Sequence, residues 1–108
     1  MRAQSRYVSR VLEQYAKLPG TLRRVLRQDR RTALDLYRRG VRLDTVESAF
    51  VLGLARRTFR AHDSPLEPIR CLEYFVPVVD ELIQEPPLPE YLDYLKGKLI
   101  TAGVLPPA

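Results

Sequence analysis

The sequence holds very few of the residue types that build metal sites, thiol chemistry and nucleotide-binding loops. Its 108 residues include one cysteine, one histidine, one methionine, five glycines and no tryptophan. A single cysteine excludes an internal disulfide and a cysteine-rich zinc site, and it is the usage expected in a reducing cytoplasm. A glycine-rich phosphate loop, a Walker pattern and a G-x-G-x-x-G sequence are all missing.

Long apolar runs are also missing. No stretch approaches the roughly 20 apolar residues that span a bilayer. Arg6, Arg10 and Glu13 interrupt the segment where a signal peptide needs its apolar core. We therefore expect a cytoplasmic protein with no membrane partner. The length and the hydrophobic content of 45% suit one folded domain over 1–108.

Candidate catalytic groups are few and badly placed for chemistry. His62 and Cys71 lie on different predicted elements and have no third group to orient them, and we expect Cys71 to be a buried structural residue. Asp80 and Glu81 are adjacent on a predicted helix, so their side chains point about 100° apart. Nothing suggests the burial that raises a carboxyl pKa for acid catalysis. We expect no enzyme, no metal and no cofactor.

What the sequence does contain is arginine, and it is concentrated in one half of the chain. The formal net charge is +5, but residues 1–60 carry 15 basic and 5 acidic side chains, whereas residues 61–108 carry 3 and 8. Fifteen of the 18 cations are arginine, whose planar guanidinium suits bidentate contact with phosphate. The chain therefore has a basic half, 1–60, and an acidic half, 61–108.

The arginines of the basic half fall into three clusters, which favours binding of a polyanion. Ten of them are candidate nucleic-acid-binding residues: Arg23, Arg24, Arg27, Arg30, Arg31, Arg38, Arg39, Arg56, Arg57 and Arg60. One face of a small domain cannot display all ten. The alternative is that each arginine simply lies on a solvated helix face and binds nothing. An arginine that pairs with a carboxylate of the acidic half would not be available to an interface.

Apolar spacing predicts an all-α fold, a compact bundle of five or six helices, because no segment alternates as a strand does. The first helix covers 4–18. Asp29 is a candidate N-cap of the next helical region, which ends at Gly40 with a left-handed residue. A central helix follows at about 45–60, with Asp44 as its N-cap. Gly53 in that helix costs about 1 kcal/mol relative to alanine, which predicts a close crossing by another helix.

The acidic half predicts the remaining helices. Ser64 and Pro65 resemble an N-cap and a first helical residue, so the fourth helix is expected to start there. Pro77 predicts a kink in this helix, or a break into two short helices that meet at Val76. A last helix starts at Glu90, and residues 103–108 are expected to fray. Most aromatic rings of the chain fall on apolar stripes and are expected in the core, with Tyr37 and Phe59 as the exceptions to watch.

The segment 35–49 matches the spacing of apolar and turn positions in a helix-turn-helix motif. Its second helix would face DNA with Asp44 and Glu47, whose carboxylates repel phosphates. The same spacing also fits an ordinary helical hairpin in the core. A helix-turn-helix transcription regulator therefore stays one alternative.

A second pattern covers residues 36–83. A helix ends in Arg39-Gly40-Val41, a capped helix and a polar loop follow, and then come Tyr74, Phe75, Val78, Val79 and Leu82. This arrangement resembles the C-terminal helical module of DnaD-type replication proteins, whose signature is Y-I-x-x-I-L-x-x-W. Leucine stands in place of the tryptophan, and a proline falls inside the signature. The resemblance implies DNA binding in replication initiation or in a mobile genetic element.

Together these features predict a small non-catalytic accessory protein that binds DNA or RNA through arginine-phosphate contacts. Its affinity should fall steeply with salt and depend little on sequence. The acidic half predicts a second surface, for a protein partner or for self-association. The alternative is a protein-interaction subunit of a larger ribonucleoprotein or transposition complex, docked through its charge asymmetry.

Overall fold

The computed structural model describes residues 2–60 and 65–107, and most of these residues are helical. They form five α-helices, α1 (Arg2–Lys17), α2 (Arg27–Arg38), α3 (Leu43–Thr58), α4 (Val76–Gln84) and α5 (Pro89–Thr101), with a 3-10 turn at Leu72–Phe75. Neither range contains a strand, although an isolated parallel bridge joins Thr21 to Ile69. The predicted all-α bundle of five or six helices is confirmed.

Helices α1 and α2 pack against each other as an antiparallel pair. The Tyr7 ring near the start of α1 meets the Tyr37 ring near the end of α2, with ring centroids 5.3 Å apart. Each helix buries residues at spacings of three and four, which places them on one stripe. The buried residues are Val8, Val11, Leu12 and Tyr15 in α1, and Asp29, Thr32, Ala33 and Leu36 in α2. The opposite face of each helix is therefore left to solvent.

Helix α3 is central, as predicted, and begins and ends two residues earlier than expected. It contacts α1, α4, α5 and the Leu72–Phe75 turn. A Cβ added at Gly53 would lie 2.8 Å from Cε1 of Phe75. A close neighbour at Gly53 is therefore confirmed, but it is the aromatic ring of Phe75 in the 3-10 turn, in place of the predicted crossing helix. That ring packs edge-on against Phe50, with centroids 5.0 Å apart.

The two predicted carboxylate N-caps, Asp29 and Asp44, are wrong, because each residue lies inside the helix that it was expected to cap. Helix α2 starts after Leu26, and Asp29 is its third residue. One oxygen of Asp29 accepts the N–H of Leu26 at 2.9 Å, and the other accepts the N–H of Leu72 at 2.9 Å. Asp29 is fully buried and joins the start of α2 to the 3-10 turn. Helix α3 starts after Arg42, and Asp44 lies within it.

The predicted end of α2 is confirmed. Gly40 has a φ of +76°, in the left-handed region where a residue with a Cβ is strained. The next N–H, of Val41, donates to the carbonyl of Leu36 at 3.1 Å, which closes the last turn. The chain then turns directly into α3.

The predicted fourth helix does not begin at Pro65, and Ser64 lies outside the described residues. Residues 65–71 form no helix. Pro68 disfavours the helical conformation at Glu67, and the N–H of Ile69 donates to the carbonyl of Gly20 at 2.7 Å instead. These contacts hold the segment extended against the end of α1.

The predicted break at Val76 is confirmed. The 3-10 turn ends where α4 begins, and Pro77 lies in the first turn of α4, where a missing N–H costs no helical bond. Helix α5 buries only Leu95 and Leu99, so most of its surface faces solvent. Val104 and Leu105, which follow it, pack against the core.

Candidate nucleic-acid interface

The outer face of α2 carries a row of arginines. Arg27, Arg31 and Arg38 are spaced by four and seven residues, which places them within about 40° of one another around the helix axis. All three are exposed and lie opposite the buried stripe. Arg30 lies beside this row, where α2 faces Gln4 and the first turns of α1. None of the four arginines forms an ion pair within the described ranges.

The loop between α1 and α2 continues this row with Arg23 and Arg24. Arg23 has a φ of +58°, which is uncommon for a residue with a Cβ. Its backbone N–H donates to Oγ1 of Thr21 at 3.2 Å, and its Nη1 donates to the carbonyl of Lys17 at 3.4 Å. Both loop arginines are exposed. The basic surface therefore extends past the start of α2 to the end of α1.

The candidate residues chosen from the sequence did not include the cations of α1. Arg6, Arg10 and Lys17 again lie within about 40° around their helix, opposite its buried stripe. The signal was present as spacings of four and seven, but the three cations are too far apart in sequence to form a cluster. We call the combined set the basic hairpin surface: Arg6, Arg10, Lys17, Arg23, Arg24, Arg27, Arg30, Arg31 and Arg38.

Two of the ten candidate arginines are paired with the acidic half of the chain. Nη2 of Arg39 lies 2.5 Å from Oδ1 of Asp80. Arg56 donates to both oxygens of Glu81, at 2.7 and 2.5 Å. The hydrogen bond from Arg56 lowers the pKa of Glu81, and the same bond raises the pKa of Arg56. These two arginines face α4 and do not belong to the basic hairpin surface.

The last two candidates, Arg57 and Arg60, lie at the end of α3. Nη2 of Arg57 donates to the carbonyl of Glu67 at 2.6 Å, and Nη1 of Arg60 donates to the carbonyl of Arg57 at 3.0 Å. The Arg57 side chain also lies against the end of α1, since a Cβ added at Gly20 would be 3.2 Å from its Nε. Both arginines are half-buried. The structure thus brings together six of the ten candidates and places four elsewhere.

Tyr91 and Tyr94, which were expected in the core, are exposed, and so is Phe59, one of the two expected exceptions. Phe59 is 40% exposed, Tyr91 50% and Tyr94 59%, and the three lie with Lys98 along α5 and the end of α3. We call these four residues the aromatic surface. The sequence pattern misled because α5 packs mainly on α3 and buries only Leu95 and Leu99, which leaves one flank of its apolar stripe exposed. Tyr37, in contrast, is half-buried against Tyr7.

The described ranges contain no group of three or more His, Cys, Asp or Glu side chains that could hold a metal ion. Cys71 is half-buried rather than fully buried, and His62 lies outside the described residues. Within the same ranges no helix is long and apolar enough to cross a membrane.

Comparison of the chain with protein-family models, curated proteins and solved structures finds no match. The resemblance to DnaD-type proteins stays a prediction from the sequence.

Proposed function

We propose that the protein is a non-catalytic accessory protein that binds DNA or RNA through arginine-phosphate contacts on the basic hairpin surface. The observation that carries the proposal is that all nine cations of this surface are exposed and that none of them forms an ion pair within the described ranges. Only Glu13 and Asp35 are exposed carboxylates of α1 and α2, since Asp29 is buried. The hairpin therefore has a strongly positive outer surface.

The dimensions of this surface suit a phosphate backbone. Arg27 and Arg38 are separated by about 16 Å along α2, and duplex DNA carries a charge about every 1.7 Å along its axis. Several phosphates therefore lie within reach of one row, and the guanidinium group can contact each of them in bidentate fashion. Binding releases condensed counterions, so log affinity should fall with log salt by about 0.9 for each phosphate contacted on duplex DNA.

The burial of α3 favours phosphate contact over base reading by a helix-turn-helix motif. A recognition helix must present one free face to the major groove. Seven residues of α3 are buried, and Asp44 in its first turn pairs with Arg42 at 3.1 Å. We therefore place the regulator alternative below the accessory protein. The role in replication or in a mobile element is proposed from the DnaD-type resemblance alone, and the cytoplasmic location from the single cysteine.

A protein-interaction subunit remains the second proposal, and one observation favours it. An apolar groove runs between the start of α3 and the linker that follows α4, lined by Val41, Leu82, Pro86 and Leu92. Ile83 at its edge is 45% exposed. Such a subunit would bind nucleic acid weakly alone and tightly within its assembly.

Fluorescence anisotropy with labelled single-stranded DNA, duplex DNA and structured RNA at several salt concentrations tests the first proposal. The variant Arg27→Gln/Arg31→Gln/Arg38→Gln removes the α2 row, and we expect weaker binding to every polymer and a shallower salt dependence. The matched control Arg39→Gln/Arg42→Gln/Arg70→Gln removes the same charge elsewhere and should retain most of the affinity. Absence of binding by the unmodified protein at low salt would contradict the proposal.

A further inference from the structure

Two of the three rings of the aromatic surface, Phe59 and Tyr94, lie beside the ammonium group of Lys98. The Tyr91 and Tyr94 rings are stacked, with centroids 6.5 Å apart and planes at 27°. Nζ of Lys98 lies 4.3 Å from the centroid of the Phe59 ring and 5.6 Å from that of Tyr94. Each ring would stabilise the fold if it were buried, because aromatic side chains bury large apolar areas. Three exposed rings can stack on a planar group of a ligand, and the neighbouring lysine can pair with an anionic group of the same ligand.

The end of α3 carries both a contact with the hairpin loop and a ring of the aromatic surface. Arg23 bonds to the last residue of α1, Lys17. Gly20, just beyond it, lies against the side chain of Arg57. Phe59 follows Arg57 by two residues, at the end of α3.

We propose that the aromatic surface is a stacking site for unpaired nucleobases, so that the protein holds single-stranded nucleic acid. This inference rests on the proposed function and adds the class of polymer. Non-specific single-strand binders combine a positive path for the backbone with aromatic rings on which successive bases stack. Both parts are present in this chain, a basic hairpin surface and a set of exposed rings beside Lys98.

The stacking site distinguishes single strands from duplexes for a simple reason. Bases in a duplex are already stacked on their neighbours, and only splayed or unpaired bases offer a free face to a protein ring. Asp93 lies in the groove beside Tyr94 and Lys98. Its carboxylate repels phosphate, so the bases and not the backbone should occupy the side of the groove that it lines.

The test compares the full chain with the variant Phe59→Leu/Tyr91→Leu/Tyr94→Leu, which keeps the apolar character and removes the rings. The probes are labelled oligothymidylate and oligouridylate of about 15 nucleotides, within the site size of one small domain, and a duplex of equal length. We expect the unmodified protein to prefer the single strands. The leucine variant should lose about 10-fold or more in single-strand affinity, with duplex affinity unchanged, since each stacked base contributes substantially.

Tyr74→Leu is the matched control, because Tyr74 is 44% exposed but lies in the 3-10 turn against Phe75. It should leave single-strand affinity unchanged. Thermal unfolding of all variants shows whether each is folded. The oligothymidylate and oligouridylate arms show whether DNA or RNA is the better source of the unpaired bases.

The outcomes separate this inference from the proposed function. One outcome is that the unmodified protein binds single strand and duplex equally and that only the Arg27→Gln/Arg31→Gln/Arg38→Gln variant binds more weakly. This outcome would overturn the stacking site and leave phosphate binding intact. Failure of the unmodified protein to bind any probe at low salt would overturn both. A change of sedimentation coefficient in the leucine variant, with single-strand affinity unchanged, would show the rings to be a contact between copies and would also overturn the stacking site.

Discussion

The α1–α2 hairpin and the region where α2 ends and α3 packs on α4 are both rich in arginine, yet their arginines have different surroundings. Residues 1–38 contain 10 basic and 3 acidic side chains, and one of the three, Asp29, is turned into the core. In the second region, α4 places Asp80 and Glu81 against Arg39 and Arg56. The comparison teaches that the density of arginine in a sequence does not decide whether the side chains are available to bind a ligand. The charge on the neighbouring helix does.

Removal of the Asp29 carboxylate should have the largest effect, because this group attaches the hairpin to the rest of the fold. Asp29→Ala leaves the N–H groups of Leu26 and Leu72 without their acceptor, and the one of Leu72 is buried. We expect a loss of about 3 kcal/mol in the free energy of unfolding, measured by urea denaturation. Asp35→Ala, at an exposed position of the same helix, should change it by less than about 0.5 kcal/mol. Equal effects of the two substitutions would contradict this role of Asp29.

A methyl group at Gly53 probes the packing on the α3 side. Gly53→Ala places a Cβ 2.8 Å from the Phe75 ring, and overpacking of this kind typically costs more than the gain in helix propensity. We expect a net destabilisation of about 2 kcal/mol. Gly97→Ala in α5 meets nothing within 4 Å and should stabilise the protein by about 0.5 to 1 kcal/mol. Thermal unfolding of both variants checks the opposite signs.

Alkaline pH should loosen the attachment of α1 to the core. Burial raises the pKa of Tyr7 and of Tyr15 from 10 to about 12, so the folded state disfavours the phenolates. The stability is therefore complete below pH 10 and is lost as the pH rises towards 12. The loss should reach about 2 kcal/mol for Tyr15, which is fully buried.

The variant Tyr15→Phe isolates this contribution. The Tyr15 hydroxyl has no hydrogen-bond partner in the described part of the chain, so its removal should not destabilise the protein at neutral pH. Urea denaturation at neutral pH and at alkaline pH should show a smaller alkaline loss for the variant than for the unmodified protein. An unchanged alkaline loss would show that other groups cause it.

The smallest effect is expected for the ion pair between Arg56 and Glu81, because both side chains are about half exposed. Arg56→Gln should destabilise the protein slightly, and added salt should reduce the difference. The pKa of Glu81 is lowered in the folded state. Its contribution is therefore present above the ordinary glutamate pKa and is lost as the pH falls through the lowered value. Denaturation at acidic and neutral pH, with and without salt, measures this difference.

Local backbone rules predicted the features of the fold that depend on glycine and proline. The end of α2 at Gly40, the close approach at Gly53 and the break at Val76 each follow from the conformational limits of one or two residues. The role of Asp29 could not be predicted in this way, since one of its two partners is 43 residues away in sequence. The predicted start of the fourth helix at Pro65 is wrong because Pro68 disfavours the helical conformation at Glu67 and so opposes the N-cap signal.

The candidate site was predictable where it depends on one helix and unpredictable where it depends on two. Helical spacing alone places Arg27, Arg31 and Arg38 on one outer face. The pairing of Arg39 with Asp80 depends on how helices 41 residues apart in sequence pack together, and no local pattern reports that. The exposure of Tyr94 likewise follows from the tertiary packing of α5, which lies mainly on α3.

The most direct test of the central claim is an NMR titration of the arginine Nε–Hε signals with oligothymidylate. We expect the signals of Arg27, Arg31 and Arg38 to shift progressively with added strand, and those of Arg39 and Arg56 to stay near their free positions. Shifts confined to Arg39 and Arg56, or no shift of the α2 row at saturation, would contradict the assignment of binding to the basic hairpin surface.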